Sequence, residues 1–162
     1  MLPQVGAQTV SLRAITAETV RAVMKLSVTE YQNRFVAPNA WSLGQALFAP
    51  EAWYRAIYSG EEPVGFVMLW DQSLLDPVPE TPKVAVWRLM VDAKHQRQGI
   101  GRAAMRLVID HVRQKGLFST LSISYVPQEG SPEGLYLSLG FRPTGEADED
   151  GEVVMELALP AS

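Results

Sequence analysis

The segment Gln96-Arg97-Gln98-Gly99-Ile100-Gly101-Arg102-Ala103 constrains this chain more than any other. It stands between a β-rich run, residues 83–91, and an amphipathic run, residues 99–115, so it reads as a strand-to-helix turn. Two glycines one residue apart leave the backbone N–H groups unshielded and allow a close approach. A helix start then supplies unpaired donors and the positive end of the helix dipole. Arg97 and Arg102 add forked donors suited to phosphate oxygens. In physical terms the segment is a pyrophosphate cradle.

Gly99-Ile100-Gly101-Arg102-Ala103-Ala104 also satisfies the G-x-G-x-x-A pattern of dinucleotide-binding folds. Three features oppose that reading. Seven residues separate Val91 from Gly99, whereas the dinucleotide turn follows its strand directly. The next strand, residues 118–125, carries no acid for a ribose, and too little chain follows for the second half of a doubly wound sheet.

Composition removes other classes. At 162 residues, with 47% hydrophobic and 20% charged side chains, the chain is expected to form a single globular domain over residues 1–162. It has no cysteine and only His95 and His111, which excludes disulfides, thiolate nucleophiles and a multi-histidine zinc site, and no metal is expected. Its apolar runs, such as residues 64–70, are too short to span a membrane. The N-terminus lacks the basic patch and apolar core of a signal peptide, so a cytoplasmic location is expected. Glu146, Asp148, Glu149, Asp150 and Glu152 crowd one stretch; without them the net charge of −4 becomes +1. That near-neutral body has no basic stripe for nucleic acid.

Periodicity predicts strands over residues 9–15, 53–59, 64–70, 83–91, 118–125, 141–144 and 153–159. Thr16 is expected to cap a helix with Val20, Val23, Met24 and Val28 on one face, and Ser42-Leu43-Gly44-Gln45 matches a capping box. Further helices are predicted over residues 99–115, ended by Gly116, and 133–139, ended by Gly140. Val84, Val86 and Arg88 are expected on one face of their strand. This mixed order predicts an α/β (α+β) fold whose central sheet is largely antiparallel and flanked by helices.

Gln96-x-x-Gly99-x-Gly101 resembles motif A of the GNAT superfamily of N-acetyltransferases, Q/R-x-x-G-x-G/A, and Tyr136-Leu137-Ser138-Leu139-Gly140-Phe141 is similar to its C-terminal Y-x-x-L-G-F. The resemblance covers residues 9–159. Within the superfamily, Phe35-Val36-Ala37-Pro38-Asn39, then Ser42-Leu43-x-Gln45-Ala46, is similar to bacterial spermine/spermidine acetyltransferases, as are residues 87–92 and 141–146. Glu129 and Pro132 stand where many relatives carry Asn and Ala.

The resemblance implies a mixed sheet splayed at its middle, acetyl-coenzyme A as cosubstrate, and a small-molecule amine as acceptor. Gln96, Arg97, Gln98, Gly99, Ile100, Gly101 and Arg102 would hold the pyrophosphate. Leu89, Met90 and Val91 would pair with pantetheine as an added strand beside a bulge, with the Leu89 N–H facing the thioester oxygen. Tyr136 would also touch the cofactor and act as general acid. A protonated amine of pKa about 10.4 needs a base before it attacks, and Glu30 and Glu129 are the candidates. Trp41, Trp53, Trp70 and Trp87 offer cation–π contacts or core packing, and His95 and His111 have no evident partner. A catalytically idle coenzyme A-binding module, and acetyltransferases of amino acids, aminoglycosides or peptide N-termini, are the alternatives. Homodimers are common in the family.

Overall fold

The computed structural model describes residues 2–5, 8–34 and 36–160, so Phe35 of the polyamine-branch stretch and parts of the N-terminus lie outside the described residues. The elements are β1 (Gln4–Val5), β2 (Gln8–Arg13), α1 (Val20–Lys25), α2 (Asn39–Ala46), β3 (Ala52–Ser59), β4 (Glu62–Asp71), β5 (Val84–Val91), α3 (Ile100–Lys115), β6 (Thr120–Tyr125), α4 (Glu133–Ser138), β7 (Arg142–Ala147) and β8 (Val153–Ala158). The strands form one mixed sheet in the order β1-β2-β3-β4-β5-β6-β8-β7. Every neighbouring pair is antiparallel except β5 and β6. The α/β class and the largely antiparallel sheet expected from periodicity are what the chain adopts.

Helices cover both faces. α3 is amphipathic, and its Ala104, Val108 and Val112 pack on one side of the sheet with Val67, Leu69, Val84 and Val86. On the other side Val23 of α1 and Leu43 of α2 pack with Phe66, Met68 and Met90. β4 is therefore buried on both faces, which is why residues 64–70 read as an unbroken apolar run.

Three local expectations are corrected. The first helix starts at Val20, because the Thr16 N–H and carbonyl are tied to Thr19 in a separate turn. It ends after six residues, leaving Met24 exposed and Val28 beyond its last turn. Ser42 is not a cap: α2 begins three residues earlier, where the Pro38 carbonyl accepts from Trp41 and Ser42 N–H groups. The Asn39 side chain meanwhile donates to the Val23 carbonyl at 2.9 Å, tying α2 to α1, and the buried Ser42 hydroxyl has no partner among the described residues. Arg88 does not continue the Val84–Val86 row. The β4–β5 register pairs Leu69 with Val86 and Met68 with Arg88, so Trp87 is an extra residue, and the bulge returns Leu89 and Val91 to the α3 face instead.

Candidate active site

The bulge and the parallel pairing together open the sheet. β5 and β6 pair only through Val84 with Leu121 and Ala85 with Ser122. Past that point β5 stays on β4 as far as Val91 with Gly65, while β6 stays on β8 as far as Tyr125 with Val153. The two strands diverge, and a cleft of about 1160 Å³ lies between them. Leu89 and Met90 line it with a backbone edge that no strand covers, an arrangement that an extended ligand chain can complete.

One end of the cleft is the helix start. Gly99 (φ 80°), the N-cap of α3, and Arg97 (φ 63°) both have left-handed φ values. Ala103 donates the first intrahelical bond, to the Gly99 carbonyl at 3.1 Å, so the N–H groups of Ile100, Gly101 and Arg102 precede the ladder. A Cβ built on Gly101 would lie 3.9 Å from Leu135 and Val91, an ordinary contact. The protein itself has room for a side chain there, and that room belongs to the cleft. Gln96 closes the loop from behind, donating to the Val91 carbonyl at 2.9 Å and to Gln32 at 2.7 Å.

The other wall carries Tyr136 and the β7–β8 hairpin. Tyr136 is 6% exposed, its ring set between Tyr125 (centroids 6.3 Å) and Phe141 (6.0 Å). Burial, and secondarily the charge of Glu152, push its phenol far above the usual range, so it stays protonated. In the hairpin the Asp148 carboxylate accepts from the Asp150 and Glu152 N–H groups at 3.0 and 2.9 Å, fixing the turn around Asp150-Gly151. Asp148, Asp150 and Glu152 line the cleft, with carboxylate oxygens within 4.8 Å of one another. Burial and the repulsion of the two aspartates raise the Glu152 pKa, against the Ser124 hydroxyl and Arg88, which lower it.

Most of the residues expected at the site converge here. Leu89, Met90, Val91, Gln96, Arg97, Gly99, Ile100, Gly101, Arg102 and Tyr136 all line the cleft, although the Ile100 side chain is buried in the core. Gln98 is exposed and lies off the lining, and so are Glu30 and Glu129. Trp70 and Trp87 line the cleft. Trp53 stacks on His111 at 4.2 Å instead, and Trp41 is 70% exposed. His95 has acidic neighbours that spacing did not reveal, Asp92 at 3.4 Å and Glu62 at 3.5 Å, although its buried Nδ1 makes no hydrogen bond among the described residues.

Two cleft residues escaped the sequence reading. Arg88 is expected only to share a strand face with Val84 and Val86, yet its guanidinium reaches Gln45 at 3.2 Å and lines the cleft, with burial lowering its pKa. Glu152 was read only as one charge in an acidic stretch. Its position directly after an Asp-Gly turn, at the start of a strand, was the available signal.

Known proteins agree with this geometry. The family described as Acetyltransferase (GNAT) family matches residues 20–141. N-acetyltransferase 8 of Rattus norvegicus is 33% identical over 75 residues, 46% of this chain and 33% of that protein. The chain thus spans about a third of the length of such mammalian relatives. The spermine/spermidine N(1)-acetyltransferase of Bacillus subtilis is 25% identical over 150 residues, covering 90% of this chain and 96% of that one. The fold matches the PaiA N-acetyltransferase of Thermoplasma acidophilum in complex with coenzyme A, with a TM-score of 0.65 at 13% identity over 93% of this chain and 99% of that chain. The chain belongs to the GNAT acetyltransferase family.

Proposed function

We propose that this GNAT protein moves an acetyl group from acetyl-coenzyme A to a primary amine, with a polyamine as the acceptor. The observation that carries the reading is one continuous cleft joining the α3 cradle, the uncovered β5 edge, Tyr136 and an acidic wall. The residues fit the donor. The Ile100, Gly101 and Arg102 N–H groups, with Arg97 and Arg102, would hold the pyrophosphate. Gly101 keeps that approach clear, and the Leu89–Met90 edge would pair with pantetheine. When bound, acetyl-coenzyme A supplies an activated thioester.

The chain's own groups do the rest. The Leu89 N–H would polarise the carbonyl being attacked. Tyr136 holds its proton more tightly than a thiol of pKa about 8.5. Its contribution is a hydrogen bond to the sulfur as charge develops there, along which a proton passes to the sulfur while solvent replaces it on the phenol. Glu30 and Glu129 are exposed and off the lining, although Gln128 and Gly130 beside Glu129 line the cleft.

Two observations favour a polyamine. The Bacillus spermine/spermidine relative aligns along nearly its whole length. Asp148, Asp150 and Glu152 also give the cleft a negative wall, which raises the local concentration of a polycation and weakens with salt. The test is thiol release with acetyl-coenzyme A and either spermidine or a neutral amino-acid amide, at low and high ionic strength. We expect higher kcat/KM for spermidine, with a preference that shrinks as salt rises. Preference for the amide would refute the acceptor. Acetyl-coenzyme A binding with no thiol release from any amine would refute catalysis and leave a binding module.

A further inference from the structure

We propose that Glu152 is the general base that takes the first proton from the acceptor ammonium, an inference that rests on the acetyltransferase reading above. A base here must line the cleft near Tyr136, be held in place, and be free of a salt bridge that would hold it ionised. Glu152 meets each condition. It lies on the cleft wall one residue beyond the Tyr125–Val153 pair, where β6 and β8 end at the opening. The Asp148 carboxylate fixes its backbone N–H at 2.9 Å, and the Ser124 hydroxyl approaches its Oε1 at 3.5 Å. The next residue, Val153, pairs with Tyr125, whose ring centroid lies 6.3 Å from that of Tyr136, so the two groups share one end of the cleft.

Other carboxylates of the cleft are less suited. Asp148 organises the turn and Asp150 is exposed. Glu51 accepts from the Trp70 indole at 3.2 Å, at the β3–β4 side of the opening. The groups facing Glu152 are Asp148 and Asp150 of its own hairpin, Arg88 of β5, Ser124 of β6 and the protonated Tyr136 of α4. Burial and the two aspartates outweigh Arg88 and Ser124, so its pKa moves upward, toward that of the amine it must deprotonate.

The proton balance closes. Glu152 removes one proton from the ammonium, and the neutral nitrogen forms the N–C bond as the C–S bond breaks, its electron pair leaving on sulfur. The sulfur gains a proton through the Tyr136 hydroxyl. The second nitrogen proton goes to solvent and offsets the one that refills Tyr136, while Glu152 releases its own, so one proton is set free per turnover.

The sign of the pH effect follows: the working carboxylate is lost as pH falls through its raised pKa, which gives the acidic limb of kcat/KM. The experiment compares wild type, Glu152→Gln and Asp150→Asn in thiol release with spermidine across pH, with acetyl-coenzyme A affinity by calorimetry and melting followed in parallel. We expect Glu152→Gln to bind acetyl-coenzyme A as wild type does, to lose about 10²-fold or more in kcat, and to lack the acidic limb. Asp150→Asn, which removes a repelling charge, moves that limb to lower pH. A Glu152→Gln enzyme with raised KM, unchanged kcat and an intact limb would overturn the base assignment and leave Glu152 as a cation-binding charge. An unmoved limb in Asp150→Asn overturns it too, even if Glu152→Gln fails to fold. Wild type that binds acetyl-coenzyme A and acetylates no amine overturns the acetyltransferase reading itself, a result distinct from either.

Discussion

Tyr136 is the residue on which burial and chemistry meet. The short helix α4 sets its ring between Tyr125 and Phe141, and burial keeps the phenol protonated. A group that stabilises charge on the departing sulfur acts mainly in the transition state. Tyr136→Phe keeps the ring packing and removes the donor, so kcat should fall by about 10²-fold while acetyl-coenzyme A affinity stays within about twofold. Steady-state thiol release beside calorimetry checks this; unchanged kcat would make Tyr136 a packing residue only. Tyr136 was legible because a motif marks it. Glu152 was not, because its neighbours are other acids of the same stretch, and only the fold tells which of the five faces Ser124 and the cleft.

Among the elements, α3 does most to set the site, since its first turn is the proposed cradle and its last turn is tied to the end of β4. Lys115 Nζ meets Asp71 Oδ2 at 2.6 Å and Ser73 Oγ at 3.0 Å, and the Asp71 side chain is 1% exposed. Burial alone would raise the Asp71 pKa, but Lys115 and two bonds from Ser73 outweigh it and hold the carboxyl below its usual range. An aspartate depressed in the folded state contributes stability above its unfolded pKa, and loses it as pH falls through the folded value. Lys115→Met leaves that carboxylate buried without its cation, and should cost about 1–3 kcal/mol at pH 7. Denaturant titrations should find the gap from wild type narrowing in acid; a gap independent of pH would mean lost packing instead. The periodic stripe of α3 made this helix readable. Asp71 and Lys115 are 44 residues apart, so no local pattern linked them. α2 was misread for a related reason: its start depends on an Asn39 bond to the Val23 carbonyl, which outweighs the local Ser42–Gln45 pattern.

At the scale of the whole molecule, one extra residue in β5 and a parallel pairing only two residues long convert a continuous sheet into a cleft. The fold class was legible because alternation and helical spacing are local signals. The bulge at Trp87 was located only roughly and only through resemblance, since an inserted residue leaves no mark on a strand already apolar on both faces. The opening and the α3 start together are proposed to bind acetyl-coenzyme A. Gly101 isolates that claim, because a side chain there meets only ordinary contacts within the protein and points into the cleft. Gly101→Asp adds an acid in the first turn of a helix, which the dipole favours, so its melting temperature should match or exceed wild type. The same carboxylate fills the cradle and repels phosphate. The decisive measurement is calorimetric titration of acetyl-coenzyme A into wild type and Gly101→Asp. Binding to wild type and a loss of at least about tenfold, or about 1.4 kcal/mol, in the stably folded variant are expected; equal affinities, or no binding to wild type, would refute the site.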